Sequence, residues 1–103
     1  MSKRGIDPAD CHTMEEVRHG VDRVDEEIVA LLGRRFRYMD AAARIKAVRE
    51  AVRDEGRKAQ VLANVARLAR EHEVPEAVAG ELYERLVEGS IGYELRRFDA
   101  TRT

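Results

Sequence analysis

The feature that most constrains this 103-residue chain is an apolar stripe running from Met14 to Ile45. Met14, Val17, Val21, Val24, Ile28 and Leu31 recur in steps of three and four, and the pattern continues through Tyr38, Met39, Ala42 and Ile45. That period marks one face of a helix. Gly20 and Gly33 lie inside the pattern, and no further Gly or Pro follows until Gly56. Thr13 precedes the stripe with Glu16 three residues later, the capping-box spacing in which two side chains satisfy each other's backbone donors. The spacing predicts a first helix of about 35 residues, on the order of 50 Å long. Such a helix exceeds the span of a compact domain of this size. Its stripe needs a surface from elsewhere, and a second copy of the chain is the simplest source.

The rest of the chain extends the helical reading. Asp54 and Glu55 suit a first turn, and Val61, Leu62, Val65, Leu68 and Ala69 then define one apolar face. The connection between the first two helices is expected within Glu50 to Glu55. Pro75 restarts the chain at a first-turn position, and Val78, Leu82, Leu86 and Ile91 carry a third helix to about Arg97. With only seven Gly and two Pro, and abundant Ala, Glu, Arg, Val and Leu, the chain is expected to be all-α. Residues 1–12, with Gly5 and Asp7-Pro8, read as irregular; 13–98 form one helical domain; 99–103 form a short C-terminal tail.

Charge narrows the function classes. Nineteen Lys plus Arg against twenty Asp plus Glu leave a formal net charge of −1, which argues against a general nucleic-acid binder. Cys11 is the single cysteine, so it has no disulfide partner within the chain and no neighbouring ligands for a metal. No apolar run approaches the ~18 residues of a membrane span, and no secretory h-region follows Met1, so the expected location is the cytoplasm.

The informative residues interrupt the stripes. Steps of seven from Met14 give Val21, Ile28, Arg35 and Ala42, so an Arg occupies a core position, and Lys46 lies three turns beyond it on nearly the same face. Steps of four from Val78 give Leu82, Leu86, Ser90 and Glu94. Arg57 sits one turn before Val61. A single charge of this kind most often snorkels or pairs at the rim. Several together are costly to bury without an anion to answer them, and Arg binds carboxylates bidentately. The residues therefore point to a pocket for a small acidic molecule inside a helical bundle.

At these positions the sequence resembles the all-helical class of chorismate mutases, and within it the branch that contains the isochorismate pyruvate-lyases. The resemblance spans about residues 8 to 97. It is carried by Arg18-His19-Gly20-Val21-Asp22-Arg23-Val24-Asp25, then Ile28-Val29-Ala30-Leu31-Leu32-Gly33-Arg34-Arg35, Tyr38, Ala41-Ala42 and Lys46. Pro8-Ala9-Asp10-Cys11 is similar to the lyase preamble, and Val52-Arg53-Asp54 with Arg57 to the mutase loop and start of the second helix.

The resemblance implies three helices per chain in an intertwined homodimer with two identical sites. Arg18 and Arg35 lie seventeen residues apart, about 25 Å along one helix, so both reach one small dicarboxylate only if Arg18 comes from the partner chain. By resemblance Arg18, Arg35 and Arg57 bind carboxylates or shape the pocket, and Lys46 hydrogen-bonds the ether oxygen whose bond breaks. Asp54 lies near the ring hydroxyl, Ser90 near a carboxylate, and Glu94 on the other side of the ether oxygen, where many members place Gln. Glu94 donates only when protonated, which predicts activity that falls as pH rises. Lys58 stands where typical mutases carry a Glu that contacts the ring hydroxyl.

The implied reaction is pericyclic and needs no metal or cofactor: chorismate rearranges to prephenate. The alternatives are release of pyruvate and salicylate from isochorismate, and an amino-deoxychorismate mutase. A helical dimeric interaction module without catalysis is the rival from a different class.

Overall fold

The computed structural model describes residues 6–102, so residues 1–5 of the irregular segment and Thr103 of the tail lie outside the described residues. Among the described residues the secondary structure is wholly helical: α1 spans Met14–Ile45, α2 Glu55–Glu71 and α3 Glu76–Thr101, with short 3-10 turns at Pro8–Asp10 and Arg49–Ala51. None of these helices is long and apolar enough to cross a membrane. The chain divides into two compact units, Met1–Arg37 and Tyr38–Thr103.

In the first unit the capping box forms as the spacing predicts. The Glu16 N–H donates to Thr13 Oγ1 at 3.1 Å, while Glu16 Oε1 accepts from the backbone N–H groups of His12 and Thr13 at 2.9 and 3.1 Å. The His12 N–H bond is the main reason the Glu16 carboxyl is held below its ordinary pKa. Along this part of α1 the stripe is exposed: Met14, Val21, Val24, Ile28 at 47% and Leu31 at 62% all face outward within the single chain.

The second unit holds the packed core. Ala43 near the end of α1, Val52 in the connection, and Val87, Ile91 and Phe98 on α3 form one buried cluster, with Val61, Tyr83 and Leu95 against it. Ion pairs lace α3 to the connection and to the start of α2. Arg53 pairs with Glu88 at 2.7 Å, and Lys58 donates to Glu84 and Glu88 at 2.8 Å each. Bonds from Arg53 and then Lys58 pull the Glu88 carboxyl down to about 2.

Two boundaries differ from the sequence expectation. The first helix stops at Ile45, so the connection opens at Lys46 rather than within Glu50 to Glu55. No local breaker marks Lys46. Burial of Val52 and the extended backbone at Val48 turn the chain there, and Asp54 caps α2 where the acidic pair predicted its start. The third helix runs beyond Arg97 to Thr101, so Asp99–Thr101 of the expected tail are helical. Phe98 is buried and anchors that extra turn.

The turn between α2 and α3 carries a cost. The Val74 N–H reaches the Ala69 carbonyl at 2.8 Å and the Glu73 N–H the Arg70 carbonyl at 3.3 Å, a Schellman closure. Its pivot is Glu73 at φ 57°, where glycine is the usual occupant.

Candidate active site

The second unit brings Lys46 and Glu94 together. Lys46 follows the last residue of α1, its N–H still donating to the Ala42 carbonyl at 2.9 Å. Its Nζ donates to Glu94 Oε2 at 2.7 Å. Glu94 is only 4% exposed, and a carboxylate that deep requires such a partner. The Lys46 side chain remains 30% exposed, so one end of the pair is open to a ligand.

Ser90 precedes Glu94 by one turn of α3 and is equally buried. Its hydroxyl donates to the Leu86 carbonyl at 2.7 Å, leaving the oxygen lone pairs as acceptors unless the hydroxyl rotates. This back-bond explains how a hydroxyl is tolerated at an apolar position of the stripe.

Asp54 and Arg57 meet at the start of α2. Asp54 Oδ1 accepts from the Arg57 backbone N–H at 2.9 Å, which makes Asp54 the N-cap of the helix. The Arg57 guanidinium is exposed and approaches Gln60 Oε1 at 3.5 Å, rather than lying on the covered face with Val61. Lys58, one residue on, is occupied by Glu84 and Glu88, and their bonds, Glu84 first, raise its pKa. Arg18, exposed, and Arg35, half-buried, belong to the first unit.

Four further contacts join α3 and its C-cap to the last turns of α1 and to Lys46. Tyr93 donates its hydroxyl to Asp40 Oδ1 at 2.7 Å, and Arg97 pairs with the same carboxylate at 3.1 Å, tying the end of α1 to α3. The bond to Asp40 is the main reason the Tyr93 phenol titrates above its ordinary value. Arg102 donates to the backbone carbonyls of Ala43 and Lys46 at 2.9 and 2.5 Å. The sequence holds a weak sign of the latter, since Glu94, Phe98 and Arg102 are spaced by four on one helical face. Reading the last residues as a tail hides it.

A family model for type II chorismate mutases matches residues 17–95, which take in nearly all of α1, the connection, all of α2 and most of α3. The chain belongs to the type II chorismate mutase family. Within that family it is 33% identical over 95 residues to the isochorismate pyruvate lyase of Pseudomonas aeruginosa, an alignment covering 92% of this chain and 94% of the relative. That alignment is longer than the stretch matched by the family model and takes in residues ahead of α1.

Proposed function

We propose that the chain is a chorismate mutase, converting chorismate to prephenate in a cationic pocket centred on Lys46 and Glu94. The observation that carries this reading is the buried carboxylate of Glu94 held by a half-open ammonium at 2.7 Å. Family membership supports the class of substrate, an enolpyruvyl dicarboxylate. In this reading Arg35 and Arg57, with Arg18 supplied by the second chain of a homodimer, bind the two carboxylates and hold the enolpyruvyl arm over the ring. Asp54 faces the ring hydroxyl and Ser90 one carboxylate.

The ether carbon–oxygen bond breaks as the new carbon–carbon bond forms, and negative charge grows on the ether oxygen. Lys46 stabilises that charge because it is positioned beforehand and partly desolvated. Without substrate, Glu94 answers the Lys46 charge. Beside a developing oxyanion a second anion is unfavourable, and a carboxyl group can donate to that oxygen only in its acid form. Cleavage by rearrangement needs no nucleophile from the chain.

The Pseudomonas aeruginosa relative favours a second reading, isochorismate pyruvate-lyase activity, in which a related rearrangement with hydrogen transfer leaves salicylate and pyruvate. The deciding experiment incubates the purified protein with chorismate and with isochorismate separately, at mildly acidic and neutral pH. Prephenate from chorismate supports the mutase. Salicylate and pyruvate from isochorismate alone replace it with the lyase. No product from either substrate rejects both and points to an amino-substituted substrate or a non-catalytic helical dimer.

A further inference from the structure

The end of α3 grips Lys46 from two sides. Glu94, Phe98 and Arg102 follow one another at intervals of four and share a face of the helix. Glu94 takes the ammonium of Lys46 at 2.7 Å, and Arg102 takes its backbone. One guanidinium nitrogen of Arg102 donates to the Ala43 carbonyl at 2.9 Å and the other to the Lys46 carbonyl at 2.5 Å. The last carbonyls of a helix have no partner within it and carry the negative end of its dipole. A planar cation that bridges two of them fixes where α1 ends.

The guanidinium is itself fixed. Its central carbon lies 3.9 Å from the centroid of the Phe98 ring, and Phe98 is buried in the cluster that contains Ala43. Arg102 Nη1 also reaches Thr101 Oγ1 at 2.8 Å. Nearby, Arg49 of the connection pairs with Asp99 at 2.8 Å, an exposed contact that touches neither Lys46 nor its carbonyl.

We propose that Arg102 is a positioning residue for the reaction, holding the backbone at Lys46 so that its ammonium stands at the ether oxygen. A long, flexible lysine side chain carries its donor at a fixed point only if its stem is anchored, and α1 has no glycine or proline stop there to do so. The inference rests on the Lys46 role proposed above.

The test compares Arg102→Ala and Arg102→Lys with Asp99→Asn, which removes a neighbouring ion pair but not the clamp. Arg102→Ala is expected to lower kcat by about 10-fold to 100-fold, with KM little changed. Arg102→Lys, which cannot bridge two carbonyls, recovers part of that loss, and Asp99→Asn leaves kcat at the parent value. A second readout, independent of turnover, is the NMR signal of the Lys46 ammonium, assigned by its disappearance in Lys46→Arg. It is expected to shift or broaden in the Arg102 variants alone. Unchanged kcat in either Arg102 variant, an equal loss in Asp99→Asn, or a loss confined to KM overturns the proposal. If the parent protein turns over neither chorismate nor isochorismate, the functional reading fails, while the ammonium signal still reports whether Arg102 holds Lys46. Should Arg102→Ala not fold, Arg102→Lys carries the same comparisons.

Discussion

The two units use similar apolar residues in opposite ways. From Met14 to Leu31 the valines, isoleucine and leucine of α1 face outward, whereas Ala43, Val52, Val87, Ile91 and Phe98 close a core within Tyr38–Thr103. An exposed stripe of helical period asks for another surface, and in the proposed homodimer a second copy would supply one with a matching stripe. The residues proposed for the site divide in the same way. Lys46, Glu94 and Ser90 are set by packing inside one unit, while Arg18 and Arg35 belong to the other. Interior geometry in one unit and exposed helical surface in the other thus follow from how much covering each sequence segment finds.

The largest effects should come from breaking the core on one side and the stripe on the other. Phe98→Ala is expected to cost about 3–5 kcal/mol in denaturant melts, independent of protein concentration. Ile28→Asp should act on association: sedimentation shifts to the monomer, and the melting temperature loses the dependence on protein concentration expected of a dimeric parent. An unchanged sedimentation coefficient would show that Ile28 covers no partner surface.

Next in size is the division of the site. Arg18→Ala and Lys46→Ala chains should each lose roughly 100-fold to 1,000-fold in turnover while remaining folded. Mixed and allowed to exchange, they should regain activity, because the heterodimer holds one intact site. Absence of rescue despite confirmed exchange removes the shared site.

The buried carboxylate gives a smaller, pH-dependent effect. Replacing it by an amide, Glu94→Gln, supplies a donor at every pH, so activity that declines with rising pH should become flat. A profile that keeps its shape takes Glu94 out of the mechanism.

Two stability effects are smaller still. Glu73→Gly relieves the left-handed residue between α2 and α3 and should raise stability by up to ~1 kcal/mol, offset in part by the freer unfolded chain. The Glu88 carboxyl is held at about 2 against an ordinary 4.5. Its contribution is therefore complete above the ordinary value and is lost as pH falls from 4.5 towards 2. Glu88→Gln should be less stable at neutral pH and lack that acid-limb slope in urea melts. Parallel acid limbs for the two proteins would show that the pairs with Arg53 and Lys58 do not contribute.

The helical class, the capped start at Thr13, the start of the second helix near Asp54 and Glu55, the length of the apolar stripe, and the polar interruptions at Lys46, Ser90 and Glu94 were all legible in the sequence. These are local or periodic features, and hydrogen-bond geometry and burial act on them within a few turns. Tertiary structure alone decided that α1 ends at Ile45, that α3 continues through Phe98 to Thr101, and that Lys46 meets Glu94 with Arg102 on its carbonyl. No Gly or Pro stands near Lys46, and the contacts found at that end of α1 come from elsewhere in the chain: buried Val52 in the connection, Glu94 on the Lys46 ammonium, and Arg102 on the carbonyls that the helix leaves open.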